Sequence, residues 1–461
     1  MVVADGSDYD IVILGGGSGG YACALRAAEL GQRVALIERG KVGGTCLHRG
    51  CIPTKALLHA AEIADQARES ESFGVRATLD GIDMPRVNAY KDKVVTRLWK
   101  GLQGLIALRH IDVIEGEGRL VSPTQVRVGD NVIQGGHLVL ATGSEARSLP
   151  GLAIDGERVI TSDQALTLDR VPSSVVILGG GVIGVEFASV WRSFGAEVTI
   201  VEMLPHLLPP EEESSSRLLE RAFRRRGIGQ KLGARFEGVK DNGSGVTVTL
   251  EGGATIDAEL LLVAVGRGPV SAGLGYQEAG VTMERGYVAV DNRCQTNVPT
   301  ISAVGDLTPG PQLAHVGFAE GIMVAERLGG LAVTPIDYDG VPRVTYSDPE
   351  VASVGITSAI AAERGIEITE FTYDLAGNGK SQILQTQGAA KIITTAGGGP
   401  VLGVHLVGAR VGELIAEGQL IYNWEATPSD VAQLIHPHPT QSEALGEAHL
   451  ALAGKPLHVH S

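Results

Sequence analysis

The chain has 461 residues, enough for about two to four domains of roughly 100–200 residues each. Hydrophobic residues make up 44%, which builds a large core, yet no apolar run reaches the ~18 residues that a membrane helix needs. A net charge of −15 argues against nucleic acid as the main partner, and four cysteines are too few for a disulfide scaffold. The opening MVVADGSDYD lacks a basic patch followed by an apolar stretch, so the expected compartment is the reducing cytoplasm. Paired cysteines there are more often catalytic or metal-binding than structural.

The first element is an apolar run, Ile11–Leu14, which reads as a buried strand. Gly15, Gly17 and Gly20 follow at G-x-G-x-x-G spacing, then a helical pattern over Tyr21–Leu30, a strand over Arg33–Ile37, and Glu38. This is a βαβ unit of the dinucleotide-binding kind. Its glycines let the backbone approach a pyrophosphate, its helix start supplies partial positive charge, and its acid accepts hydrogen bonds from a ribose.

GGTCLHRGCIPTK comes next, with Cys46 and Cys51 close together. Pro53 suits the first turn of a helix running to about Ala67. HLVLATGS (His137–Ser144) then reads as a strand entering a glycine turn. The βαβ pattern returns with Gly179, Gly181 and Gly184, and Glu202 stands where Glu38 stood. One such motif is weak evidence; two complete strand–turn–helix–strand–acid units are much stronger. They imply two dinucleotides, one open to a bound flavin and the other to a diffusible nicotinamide. Glu202 suits the free 2′-OH of NAD, and Met203–Leu204–Pro205–His206 offers no arginine for the 2′-phosphate of NADP.

ELLLVAVGRGP (Glu259–Pro269) repeats the strand-into-turn look of HLVLATGS, as expected of an internal duplication. TISAVGDL ends a third strand near Asp306, which fits either a polar cofactor chain or an ordinary turn aspartate. After about residue 342 the pattern changes to antiparallel strands, then helices over Gly412–Tyr422 and Thr427–Leu434, then IHPHPTQSEALGEA. This is a separate C-terminal α+β domain.

The cysteine pair admits three readings. A structural zinc site wants four ligands, but only His48 is nearby and there is no second cysteine pair. Two inert core thiols are possible. The setting favours a redox pair: Gly43, Gly44 and Gly50 allow the bent backbone that a disulfide between these positions needs, and a helix start stabilises a thiolate. A dithiol releases protons with its electrons, so a base is needed. His438, with Glu443 five residues on, is the best candidate.

In this combination and order, LGGGSGG, GGTCLHRGCIPTK, ATGS, GGGVIGVE, VGRGP, AVGD and HPHPTQSE resemble the pyridine nucleotide–disulfide oxidoreductases, over nearly the whole chain. The resemblance implies an α/β fold with two Rossmann-like dinucleotide-binding domains plus a C-terminal α+β dimerisation domain. Its boundaries would be a FAD-binding domain over 1–147, an NAD-binding domain over 148–271, the rest of the FAD-binding and central region over 272–341, and the dimerisation domain over 342–461. It implies FAD and NAD as cofactors, and oxidation of a dihydrolipoyl group carried by an acyltransferase or lipoyl carrier protein. The setting would be a 2-oxoacid dehydrogenase complex or the glycine cleavage system.

Cys51 would be the flavin-side thiol and Cys46 the outer thiol that exchanges with substrate. Lys55 would lie near the flavin with Glu186 as its ion-pair partner. Asp306 would bind the ribityl or phosphate region, with Leu313, Ala314 and His315 beside the ring. Gly44, Thr45, Gly118, Thr142, Gly143 and Ser144 would contact the flavin nucleotide, and Phe236 and Gly266 would line the NAD site. His438 and Glu443 would come from the other subunit of a homodimer. Two alternatives remain: a related reductase of another low-molecular-weight disulfide, and a non-catalytic flavoprotein scaffold. Two departures stand out. His48–Arg49 replaces a small or neutral pair such as Asn-Val, and QLAHVGFAEG is unusually apolar.

Overall fold

The computed structural model describes residues 8–459, which cluster into two compact units. The first comprises the described residues of Met1–Ala56, with Pro85–Arg147 and Gly266–Tyr338. Its parallel sheet runs Asp112–Glu115, Val34–Glu38, Tyr9–Leu14, Asn131–Leu140, Ile301–Ala303. Ile11 lies opposite Val34 on one side and His137 on the other, and Leu14 lies opposite Ile37 and Leu140.

The unbroken apolar run in the first strand follows from burial on both faces. Ile11, Ile13, Val34, Leu36 and Val139 join one core cluster, while Val12, Leu14, Ala35, Ile37, Leu138 and Leu140 join the other. The first cluster takes Cys23, Ala24 and Ala27 from the helix Ser18–Glu29, and Met323, Val324 and Ala325 from Ala314–Leu328. The second is closed by the antiparallel strands Gly118–Ser122 and Gln125–Val128. The first helix starts three residues before the expected Tyr21, at Ser18, because Gly19 and Gly20 form part of its first turn rather than the loop.

The second unit comprises Leu57–Met84, Ser148–Val265 and the described residues of Asp339–Ser461. It repeats the parallel design, in the order Gly229–Leu232, Glu197–Glu202, Ser174–Leu178, Leu260–Val263, Val159–Ile160. A three-stranded antiparallel sheet, Phe236–Asp241, Val246–Leu250 and Thr255–Ala258, packs into the same core cluster. After residue 342 comes a five-stranded antiparallel sheet, ordered Arg343–Thr345, Glu350–Gly355, Val401–Gly408, Ala389–Thr395, Ile368–Asp374. The expected helix over Gly412–Tyr422 is present as Val411–Asn423. The one expected over Thr427–Leu434 is a single turn, Pro428–Val431, opened by a Thr427/Asp430 capping box. The prolines at 437 and 439 keep the following segment out of helical geometry. Among the described residues no helix is long and apolar enough to cross a membrane.

Candidate active site

The two glycine loops are near-copies. Gly15 (φ +106°) and Gly179 (φ +113°) both lie in the left-handed region, each with its Cα against a strand-end carbonyl, Ala141 in one loop and Ala264 in the other. A side chain there would collide with that carbonyl, so the turn requires glycine. Gly20 and Gly184 press on the carbonyls of Gly15 and Gly179 in the same way. The middle glycines differ: a Cβ on Gly181 would meet nothing within 4 Å, and one on Gly17 would meet only Gly44 Cα at 4.0 Å. Each middle glycine caps a helix of twelve or more residues with no side-chain hydrogen bond. Open space at an uncapped helix start is what a pyrophosphate needs, so both loops fit a dinucleotide.

The two strand-end acids are duplicated as well. Glu38 accepts from Gly16 N–H (2.7 Å) and Gly40 N–H (2.7 Å); Glu202 accepts from Gly180 N–H (2.6 Å) and Leu204 N–H (2.8 Å). Sequence reasoning assigned these carboxylates to ribose. Each also braces its own glycine loop, and each oxygen keeps a second lone pair for a ligand.

Cys46 lies in the short helix Gly44–Arg49, and Cys51 opens the helix Cys51–Glu69. The break between them is Gly50 (φ −145°, ψ −113°), where a Cβ would lie 3.0 Å from Thr45 O. Both cysteines are half-buried. The Cys46 thiol is pushed well up, first by its hydrogen bond with Cys51, then by burial, with the Lys55 ammonium pulling the other way. Lys55 is one turn beyond Cys51 on the same helix.

Tyr21, which sequence reasoning missed, belongs to this group. Burial, and then the Cys46 and Cys51 sulfurs, push its hydroxyl up to about 12. Its ring packs 5.6 Å from that of Phe318. Nothing in the local pattern around Tyr21 distinguishes it from a core residue.

Asp306 sits in a single 3₁₀ turn, Gly305–Leu307, and accepts from Ser144 Oγ (2.5 Å). Ser144 is held by Arg267, whose Nε donates to its Oγ (2.8 Å) and whose terminal nitrogen donates to its carbonyl (2.6 Å). The same terminal nitrogen lies 3.5 Å from Thr45 Oγ1. Thr142 Oγ1 donates to Val270 O (2.6 Å), and Gly143 O accepts from Val270 N–H (2.9 Å). Buried Glu320 fixes the Asp306 turn from behind, accepting from Gly305 N–H (2.6 Å) and from Tyr338 O–H (2.7 Å).

Arg267 and Glu320 were also missed. Both stand inside segments that the sequence had singled out, VGRGP and QLAHVGFAEG, but their partners are distant along the chain. Leu313 caps the helix Ala314–Leu328, with His315 exposed in its first turn. Gly118 packs against Leu14 and Ile37 at the strand ends. Gly266 (φ +105°) accepts from Arg147 N–H and leads into the strand Arg267–Pro269.

The second unit holds Gly179, Gly181, Gly184, Glu186, Glu202, Phe236, His438 and Glu443. Phe236 begins a strand, and buried Glu186 accepts from Tyr346 N–H (3.0 Å). His438 is exposed, and its Nδ1 lies 2.8 Å from Glu443 Oε1. A carboxylate only accepts, so Nδ1 carries the hydrogen and Nε2 is left as the basic nitrogen. Burial works against the Glu443 charge, but Thr440 N–H (2.8 Å) and His438 hold its carboxyl below the usual range. Its place at the first position of the helix Glu443–Leu452 adds the helix dipole. Among the described residues no three His, Cys, Asp or Glu side chains are grouped to hold a metal ion.

Comparison with known proteins gives concordant matches. Residues 9–321 match the pyridine nucleotide-disulphide oxidoreductase family, and residues 341–449 match its dimerisation domain. The chain is 39% identical to the mitochondrial dihydrolipoyl dehydrogenase of Pisum sativum, over 99% of this chain and 94% of that one. It is also 39% identical to a dihydrolipoyl dehydrogenase of Bacillus subtilis (strain 168), over 98% and 99% of the two chains. Among solved structures, LpdA from Mycobacterium tuberculosis superposes with a TM-score of 0.89 at 28% identity, covering 96% of this chain and 99% of that one.

Proposed function

The chain belongs to the pyridine nucleotide–disulphide oxidoreductase family, and from that premise we propose that it oxidises a dihydrolipoyl group to its disulfide with reduction of NAD⁺, using FAD. The observation that carries the reading is the placement of Cys46 and Cys51 on the two sides of a helix break at Gly50, with Cys51 close enough to push the Cys46 thiol up, in the unit that also holds the first glycine loop. Bound FAD supplies the two-electron transfer between the dithiol and the nicotinamide. The first glycine loop, Glu38 and the Asp306–Ser144–Arg267 chain would hold it; the second loop and Glu202 would hold NAD, with Phe236 beside it.

The chain's own chemistry is thiol exchange and proton handling. In the oxidised protein Cys46 and Cys51 are joined. The His438 imidazole takes a proton at Nε2 from a substrate thiol, and the thiolate attacks Cys46, forming a mixed disulfide and releasing Cys51 as thiolate. The second substrate thiol then displaces Cys46, so the lipoyl ring closes and the pair is left reduced. Reoxidation by NAD⁺ gives NADH, one proton and the Cys46–Cys51 disulfide. Glu443 keeps His438 in the useful tautomer and steadies its positive form. Lys55 favours negative charge on the sulfurs.

The dimerisation domain supports a homodimer, in which each copy lends His438 and Glu443 to the other copy's cysteines. The lipoyl group arrives on an acyltransferase or carrier protein, in the reducing cytoplasm where such a pair can cycle. The test is turnover by the purified protein of lipoamide against glutathione disulfide, and of NADH against NADPH. Lipoamide with NADH is the expected pair. Cys46→Ser is expected to lose lipoamide turnover by several orders of magnitude while staying yellow. A preference for glutathione disulfide would favour the related-reductase alternative, and unimpaired Cys46→Ser turnover would refute the assignment.

A further inference from the structure

His48 stands between the two cysteines. Its Nε2 lies 3.0 Å from Val42 O, an acceptor, so that nitrogen carries the hydrogen. Its ring meets Trp99 edge-on, with centroids 5.9 Å apart and planes at 77°. Trp99 comes from the helix Met84–Leu108, and the Lys41 ammonium lies 4.7 Å from the centre of its ring. Val42 and Leu47 are buried in the core cluster against which Trp99 and Ile52 pack. The short helix carrying Cys46 is thus tied at its start through Lys41 and Val42, and near its end through His48.

We propose that His48 and Trp99 clamp the Cys46–Cys51 loop near its closed geometry and so set the balance between disulfide and dithiol, a positioning role that rests on the redox reading of that pair. Forming the disulfide is an intramolecular closure. A loop already held with its sulfurs adjacent has little freedom left to lose, so the effective concentration of one thiol at the other is high. Releasing the clamp lowers that concentration and shifts the pair toward dithiol. An aliphatic residue at position 99 has no face for the His48 edge, and asparagine at 48 has no ring for Trp99; phenylalanine at 99 keeps the edge contact.

The experiment equilibrates purified, flavin-loaded full-length protein in buffers of reduced and oxidised dithiothreitol, alkylates free thiols, and counts the labelled Cys46 and Cys51 by mass. Exchange balances as enzyme disulfide plus dithiothreitol giving enzyme dithiol plus cyclic oxidised dithiothreitol. Trp99→Leu and His48→Asn are expected to lower the disulfide-to-dithiol ratio roughly three- to tenfold, where tenfold is about 30 mV for two electrons. Trp99→Phe is expected to stay near wild type. A purely structural contact would lower the melting temperature of both redox forms and leave the ratio unchanged. The clamp is overturned if His48→Asn and Trp99→Leu match wild type, or if Trp99→Phe shifts as far as Trp99→Leu. Where Trp99→Leu does not fold, His48→Asn against Trp99→Phe decides. A wild-type protein that forms no Cys46–Cys51 disulfide at any buffer ratio overturns the redox reading and the clamp with it, which separates that failure from failure of the clamp alone.

Discussion

His436 stands two residues before His438, and the two histidines have opposite exposure. His436 is partly buried, its Nε2 is 2.7 Å from Glu417 Oε1, and its ring fills the space where a side chain on residue 446 would sit. The hydrogen bond to Glu417 holds its pKa above the usual 6.5, against the opposing effect of burial. A histidine whose folded pKa is raised contributes stability that is fully present below the unfolded value, and loses it as pH rises through the folded value. Glu417→Gln is therefore expected to destabilise the protein by about 1 kcal/mol below pH ~6.5, after allowing for screening, and by little at alkaline pH. Thermal melts of both proteins at several pH values check this; an equal loss at every pH would mean that packing, not charge, holds the pair. At this scale the geometry of the glycine loops, the bend between the cysteines and the pairing of His438 with Glu443 were legible because each follows from a short local pattern. Tyr21, Arg267 and Glu320 were not, since each acts through a partner brought near only by folding.

Among the elements, the strand Ala389–Thr395 shows where local pattern reading stops. Its sequence AAKIITT does not alternate, and a lysine in such a run reads as facing solvent. Lys391 is instead buried, with Nζ 2.9 Å from Glu212 Oε1 and 2.9 Å from Glu370 Oε2, and 2.9 Å from Ser358 Oγ. Glu212 caps the helix Glu213–Arg225 and also accepts from Ser358 N–H (2.9 Å). The cluster thus pins a helix start against the C-terminal sheet within one unit. Burial opposes the lysine charge, but Glu370 and Glu212 together hold it above its usual pKa. Removing one partner of such a group strands the other. Lys391→Met is expected to cost about 3–5 kcal/mol in denaturant unfolding, and adding Glu212→Gln to recover part of that by removing the buried unpaired charge. A loss under about 1 kcal/mol would show that water reaches the site. The strands Tyr9–Leu14 and Val34–Glu38 and the helices Ser18–Glu29 and Val411–Asn423 could be placed from periodicity to within a few residues, because burial on both faces of a strand, or one face of a helix, writes itself into the apolar pattern; the helix Met84–Leu108 was not foreseen. The ionic cluster leaves no such mark.

For the whole molecule, the division into compact units gathers what the chain order scatters. The cysteines, the first glycine loop, Thr142–Ser144, Asp306 and Leu313–His315 all lie in one unit, built from three separate stretches of sequence. Order along the chain alone could not show that residues near 300 join a sheet begun near residue 9; the parallel pairing of Ile301–Ala303 with Leu138–Leu140 brings them there. His438 lies in the other unit. Close to it in sequence are large apolar side chains that one copy leaves in water: Ile435 at 98% exposure and Trp424 at 76%, with Leu420 and Leu434 also exposed. Apolar side chains exposed within a dimerisation domain suit a surface that a second copy covers. Placing a charge in it would oppose that burial, since an unpaired carboxylate at an apolar interface costs several kcal/mol. Ile435→Asp is therefore expected to shift the protein toward monomer in analytical ultracentrifugation at micromolar concentration. Lipoamide turnover should fall by at least about a hundredfold, the contribution of a positioned base. The flavin spectrum should persist, because the residues assigned to FAD come from the first unit. A variant that remains dimeric and fully active would remove Ile435 from the interface, and a monomer that keeps full activity would show that His438 serves the cysteines of its own chain.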